Sequence, residues 1–133
     1  MKRLFRYLWA APVSAAALPA LPLALLTGGS ARVVDGVLEI GGGALTRLLS
    51  RGVPGFPISA ITLGHVVLAA DAGEHGRCRA HERVHVRQYE RWGVVFPALY
   101  LASSAAAILR GGSAYHDNAF ERAAFREEGA CPA

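Results

Sequence analysis

The twenty residues from Tyr7 to Leu26 carry no charge, and Lys2, Arg3 and Arg6 stand just before them. A helix rises about 1.5 Å per residue, so a run of this length crosses a hydrocarbon core. Pro12, Pro19 and Pro22 interrupt it, which spans tolerate. The expectation is a single N-terminal membrane anchor. A signal peptide and a core helix of the domain remain as alternatives; against the former, the apolar run is long and no clear Ala-x-Ala site follows Leu26.

After a break at residues 27–30 the pattern changes period. Arg32-Val33-Val34 and Val37-Leu38-Glu39-Ile40 flank Asp35-Gly36, the turn chemistry of a two-residue β-hairpin. Residues 44–51 read as a short helix with Leu45, Leu48 and Leu49 on one face. Gly52, Pro54, Gly55 and Pro57 mark a loop. Residues 58–69, with Ile61, Leu63, Val66, Val67 and Leu68, read as one strand. A helix then runs from about Glu74 to Trp92, closed by Gly93. The uncharged run 94–109 is short for a span and fits a buried or membrane-skimming helix. Gly111-Gly112-Ser113 ends it, and a last helix is predicted over about 118–128. The fold class expected is α+β, mainly helical, with a hairpin and one edge strand. The division expected is a hydrophobic segment over 1–30 and a metal-binding domain over 31–133.

The 133 residues are 53% apolar and 18% charged, which favours a membrane-seeking segment. The net charge is +4 and the pI near 9.6. No Lys/Arg run or basic-aromatic stripe occurs, so nucleic acid is not an expected partner. Lys2, Arg3 and Arg6 would place the domain outside the cytoplasm. Eight arginines between the two apolar runs argue the other way, so the side stays open. Cys78 and Cys131 are too few for a disulfide framework; they form one bridge or are two unrelated thiols.

The chemistry lies in Ala80-His81-Glu82-Arg83-Val84-His85-Val86-Arg87-Gln88-Tyr89. Residues four apart share a helix face, so His81 and His85 can converge on one tetrahedral ion, with zinc as the expected metal. Glu82 projects beside that ion, placed to take a proton from water as general base. A third ligand is required, and Glu121 is the first candidate, ahead of His116 and Asp117. Its competing role is the Glu of a capping box begun by Asn118. Gln88 follows one turn beyond His85, as a partner for an outer group or the substrate. His65 could face the cleft or be structural. Tyr115 could donate to an oxyanion or simply pack.

The stretch His81 to Gln88 resembles the HExxHxxQ signature of small bacterial zincin-like (gluzincin-type) metallopeptidases. Asn118-Ala119-Phe120-Glu121-Arg122-Ala123-Ala124 resembles the Asn-Pro-x-Glu-x-x-Ala segment that supplies their third ligand, with Ala119 where proline is common. The resemblance covers about 58–128. It implies a zinc-dependent peptidase acting on a peptide or protein, with a strand before the active helix able to hold an extended substrate. Two rivals stand beside it. One is a non-catalytic, zinc-stabilised membrane-associated or interaction module. The other is a helical membrane protein in which 7–26 and 94–109 both span. A crossing at 94–109 would separate Glu121 from His85 by a core about 30 Å thick, so it excludes Glu121 as a ligand.

Overall fold

The hairpin expected around Asp35-Gly36 forms as written: both residues adopt positive φ, 52° and 78°, which a tight right-twisted turn requires. The structure, a computed structural model, describes residues 1–51 and 58–128. In chain order the elements are α1 (Lys2–Ala17), α2 (Ala20–Leu26), β1 (Ser30–Val34), β2 (Val37–Gly41), α3 (Ala44–Ser50), β3 (Ala60–Leu63) and β4 (Val66–Ala69). There follow α4 (Ala72–Trp92), a 3-10 turn (Gly93–Val95), α5 (Phe96–Leu109) and α6 (Ala119–Glu128). The class is mixed α and β, mainly helical, around one four-stranded sheet ordered β1-β2-β4-β3.

Alternation along the strands builds three layers. β2 and β4 run parallel, with Leu38 opposite Val66 and Ile40 opposite Leu68. Ile40, Val66 and Leu68 pack against Ala17, Ala24, Leu45 and Leu49, so α2 and α3 cover this face. Val37 and Val67 point the other way, onto Val86 of α4. Central strands covered on both faces read as near-continuous apolar runs, as Val66–Ala69 does.

A buried carboxylate ties α4 to β2. Glu39 of β2 is buried, and its carboxylate accepts two hydrogen bonds from Arg79, Nε at 2.8 Å and Nη2 at 2.9 Å. Arg83 adds a third at 3.0 Å and also donates to the Val34 carbonyl. Burial by itself would raise the Glu39 pKa. The hydrogen bond and charge of Arg79, with the charges of His75 and Arg83, reverse that and hold it below the ordinary 4.5.

Several expectations are corrected. The single strand over 58–69 is two antiparallel strands, β3 and β4, joined by a turn at Gly64-His65. Gly64 sits at φ +64°, and a Cβ there would run into Ser14 and the Ala10 carbonyl of α1. Leu48 is exposed, not on the buried face with Leu45 and Leu49. The N-terminal run is not one helix: α1 and α2 bend by 44° where Leu18-Pro19 intervenes. Two hydrogen bonds join α1 to the sheet turns. Tyr7 donates from its hydroxyl to the Gly36 carbonyl (2.7 Å), and the His65 amide donates to Ser14 Oγ (2.9 Å). The helical run His75–Leu109 is long and apolar enough to cross a membrane; α1 and α2 meet that test only as a bent pair. The loop predicted at 52–57 and Cys131, hence the Cys78–Cys131 question, lie outside the described residues.

Candidate metal centre

On α4, His81 and His85 lie one turn apart on the face turned towards α6. Their Nε2 atoms are 3.3 Å from each other and 3.0 and 3.2 Å from Glu121 Oε2. All three residues are buried, and among the described residues they form a group able to hold a metal ion. The spacing tests the fit. Ligands about 2.05 Å from a tetrahedral zinc are about 3.3 Å from one another. Hydrogen bonds from the two imidazoles to the carboxylate account for two edges of this triangle; a shared cation would account for all three. Two imidazoles and a carboxylate are also a donor set zinc accepts.

The outer groups complete the argument. Gln88 Nε2 donates to the Phe120 carbonyl at 3.1 Å, so the amide oxygen faces His85 Nδ1 at 2.8 Å. An oxygen only accepts, so Nδ1 carries the proton and Nε2 presents a lone pair to the shared centre. Burial alone would lower the His85 pKa. The hydrogen bond and charge of Glu121, with Glu82 and Gln88, raise it overall. Burial likewise opposes ionisation of Glu121, yet hydrogen bonds to His81 and His85, the His85 charge and the Tyr100 hydroxyl bring its pKa down to about 2.

Glu121 is in place because α5 and α6 are laced together. Asn118 Oδ1 accepts from the Phe120 amide at 2.9 Å, which is the cap; the Asn118 amide itself donates to Tyr115 O. Glu121 makes no reciprocal capping bond to that amide, and its carboxylate is free for the histidines. The start of α6 is held to α5 by Asn118 Nδ2 on Ser104 Oγ (2.8 Å) and by the Ala119 amide on Ser103 Oγ (2.8 Å). Tyr100 donates to Glu121 Oε1 at 2.6 Å, opposite the oxygen aimed at the histidines.

Glu82, adjacent to His81, is buried, and its Oε2 accepts from the Thr62 hydroxyl of β3 at 2.6 Å. Thr62 and Tyr100 were not anticipated. For Tyr100 the sequence held a clue: Tyr100, Ser103 and Ser104 form a polar stripe at i, i+3, i+4 in an otherwise apolar helix. For Thr62 it held none while β3 and β4 were read as one strand.

Four expected residues lie elsewhere. His65 pairs with Glu90 (3.1 Å) and stacks on Tyr7 (4.1 Å between ring centres), away from the cluster. The rival ligands are not part of it either. His116 is exposed and stacks on Phe125, and Asp117 accepts from the Ser113 amide. Tyr115 packs edge-on against Phe125, whose ring lies 5.2 Å from that of His81, so it is one ring away.

No protein-family model, curated protein or solved structure matches this chain. The likeness to zincin-type peptidases therefore stands on the motif residues themselves.

Proposed function

We propose that the chain is a zinc-dependent metallopeptidase acting on a peptide or protein. The observation that carries the reading is Glu82: a buried carboxylate oriented by Thr62 and next in sequence to a His81-His85-Glu121 triangle of tetrahedral edge length. A zinc ion held there supplies Lewis-acid chemistry, acidifying water and polarising a carbonyl. The residues divide the remaining work. His81, His85 and Glu121 hold the cation, with Gln88 and Tyr100 fixing the His85 ring and the Glu121 carboxylate. Glu82 takes the proton from the attacking water and returns it to the leaving amine. β3 is an outer strand of the sheet beside Glu82, the position from which an extended substrate can pair by strand addition.

The deep burial of the cluster favours a second reading, a metal that only stabilises the fold. Glu82→Gln separates the two. The peptidase reading expects full metal content and a loss of at least about a hundredfold in hydrolysis of a casein-type or peptide-library substrate. Hydrolysis equal to that of the unmodified chain sinks the assigned role. A stable, metal-loaded chain that cleaves nothing before or after the change supports the structural metal.

A further inference from the structure

α1 has two apolar faces, and only one is used. Ala10 and Ala17 are buried, and Tyr7 and Ser14 hydrogen-bond to the hairpin turn and the β3–β4 turn, a face at i, i+3, i+7, i+10. The other face presents Leu4, Phe5 and Leu8 at 64%, 64% and 63% exposure, with Trp9 stacked on Phe5. Trp9 also lies against Gly93, which brings the exposed Trp92, Val94 and Val95 beside this face. Leu101, Ile108 and Leu109 of α5 are exposed as well.

Cations border this surface. A cleft of about 450 Å³, within the size range of small-ligand sites, opens between α1 and α4. Lys2, Arg3 and Arg6 line it from α1, Arg83 and Arg87 from α4; Asp35 and Glu90 are the acidic groups in its wall. Those carboxylates do not balance the five cations. Arg83 and Arg87 have partners outside the cleft wall, Glu39 and Glu127, and Arg6 reaches Glu90 only at 3.5 Å. Lys2 and Arg3 make no ion pair among the described residues. Phe5 lies beside Lys2 and Arg6 in the adjoining depression, so the cationic and apolar surfaces meet.

We propose that this face docks in the plane of an anionic phospholipid bilayer, with the cleft between α1 and α4 taking a headgroup phosphate. The charge pattern selects the occupant. A bilayer places phosphates directly above hydrocarbon, which is the order of cations and apolar side chains along α1, and indole rings such as Trp9 and Trp92 favour that boundary. The same geometry opposes a full crossing by α1 or α5. The inner side of α1 is hydrogen-bonded to the sheet, and that of α5 holds α6, so each helix offers lipid one face only. The metal site lies on the opposite side of α4, from His81 to Gln88, and the inference does not rest on it.

The test is flotation of the purified full chain with vesicles of phosphatidylcholine alone or mixed equally with phosphatidylglycerol, with and without free glycerol 3-phosphate. The expected result is binding to the mixed vesicles that weakens with salt and resists glycerol 3-phosphate. A Lys2→Ala, Arg3→Ala, Arg6→Ala triple variant should partition about a hundredfold more weakly onto them. Leu8→Asp should reduce binding whatever the headgroup. The thermal unfolding curve by circular dichroism reports whether each variant is folded. Should a variant fail to fold, the salt and headgroup dependence of the unmodified chain decides. Equal binding to both vesicles overturns the headgroup site. Absence of vesicle binding overturns the proposal, and if glycerol 3-phosphate then raises the melting temperature the cleft serves a soluble phosphate instead.

Discussion

Three side-chain atoms lie within 3.0–3.3 Å of one another, a spacing that suits a shared cation. In its absence the Glu121 carboxylate recruits a proton to His85, which is why the imidazole pKa rises while the carboxyl falls to about 2. Metal binding must displace that proton. Affinity should therefore be full above the raised His85 pKa and fall by about tenfold per pH unit and per proton below it, as read by a competitive chelator from pH 8 to 5. A flat profile across that window contradicts the assigned ligand. Tyr100→Phe removes only the hydroxyl that orients Glu121. Metal affinity should drop by about ten- to a hundredfold with little change in melting temperature of the loaded protein. Unchanged affinity would make Tyr100 a packing residue.

At the scale of elements, legibility followed period and turn chemistry. Asp35-Gly36 between β-branched runs, the His81–Gln88 face and Gly93 after Trp92 were readable because each uses a local rule, and all three recur in the fold. The split of 58–69 is hidden in the sequence because Gly64 sits inside an apolar run; its positive φ serves a close approach of α1 that no local pattern encodes. The α1–α5 apolar surfaces were legible as hydrophobic but not as faces, because packing partners decide which side of an all-apolar helix is inside. Nothing in the hairpin pattern marks Glu39 as buried. It holds α4 through Arg79 and Arg83, and so positions the metal ligands. Glu39→Ala should cost about 3 kcal/mol, measured as the midpoint of urea unfolding. This is the lower end for removing one partner of a buried pair, because Arg79 is 31% exposed and regains water. The Glu39 pKa is depressed in the fold. Its contribution is thus present above the unfolded value near 4.5 and lost as the pH falls through the lower, folded one. A loss below about 0.5 kcal/mol, the range of ordinary surface changes, would contradict this role.

At the scale of the molecule, one long helix divides two functions. The side of α4 bearing His81, His85 and Gln88 meets α6 and forms the candidate metal centre, and the side bearing Arg79, Arg83 and Glu90 meets the hairpin and α1. Glu121 comes from about forty positions away in sequence, and its arrival depends on α5 turning back along its own polar stripe. The most direct test of that arrangement is metal content of the purified chain by atomic emission, with His85→Ala and Glu121→Ala in parallel. The account predicts about one zinc per unmodified chain and a large loss in both variants. A chain purified with zinc in the medium that carries none, or variants that keep the same content, would contradict it.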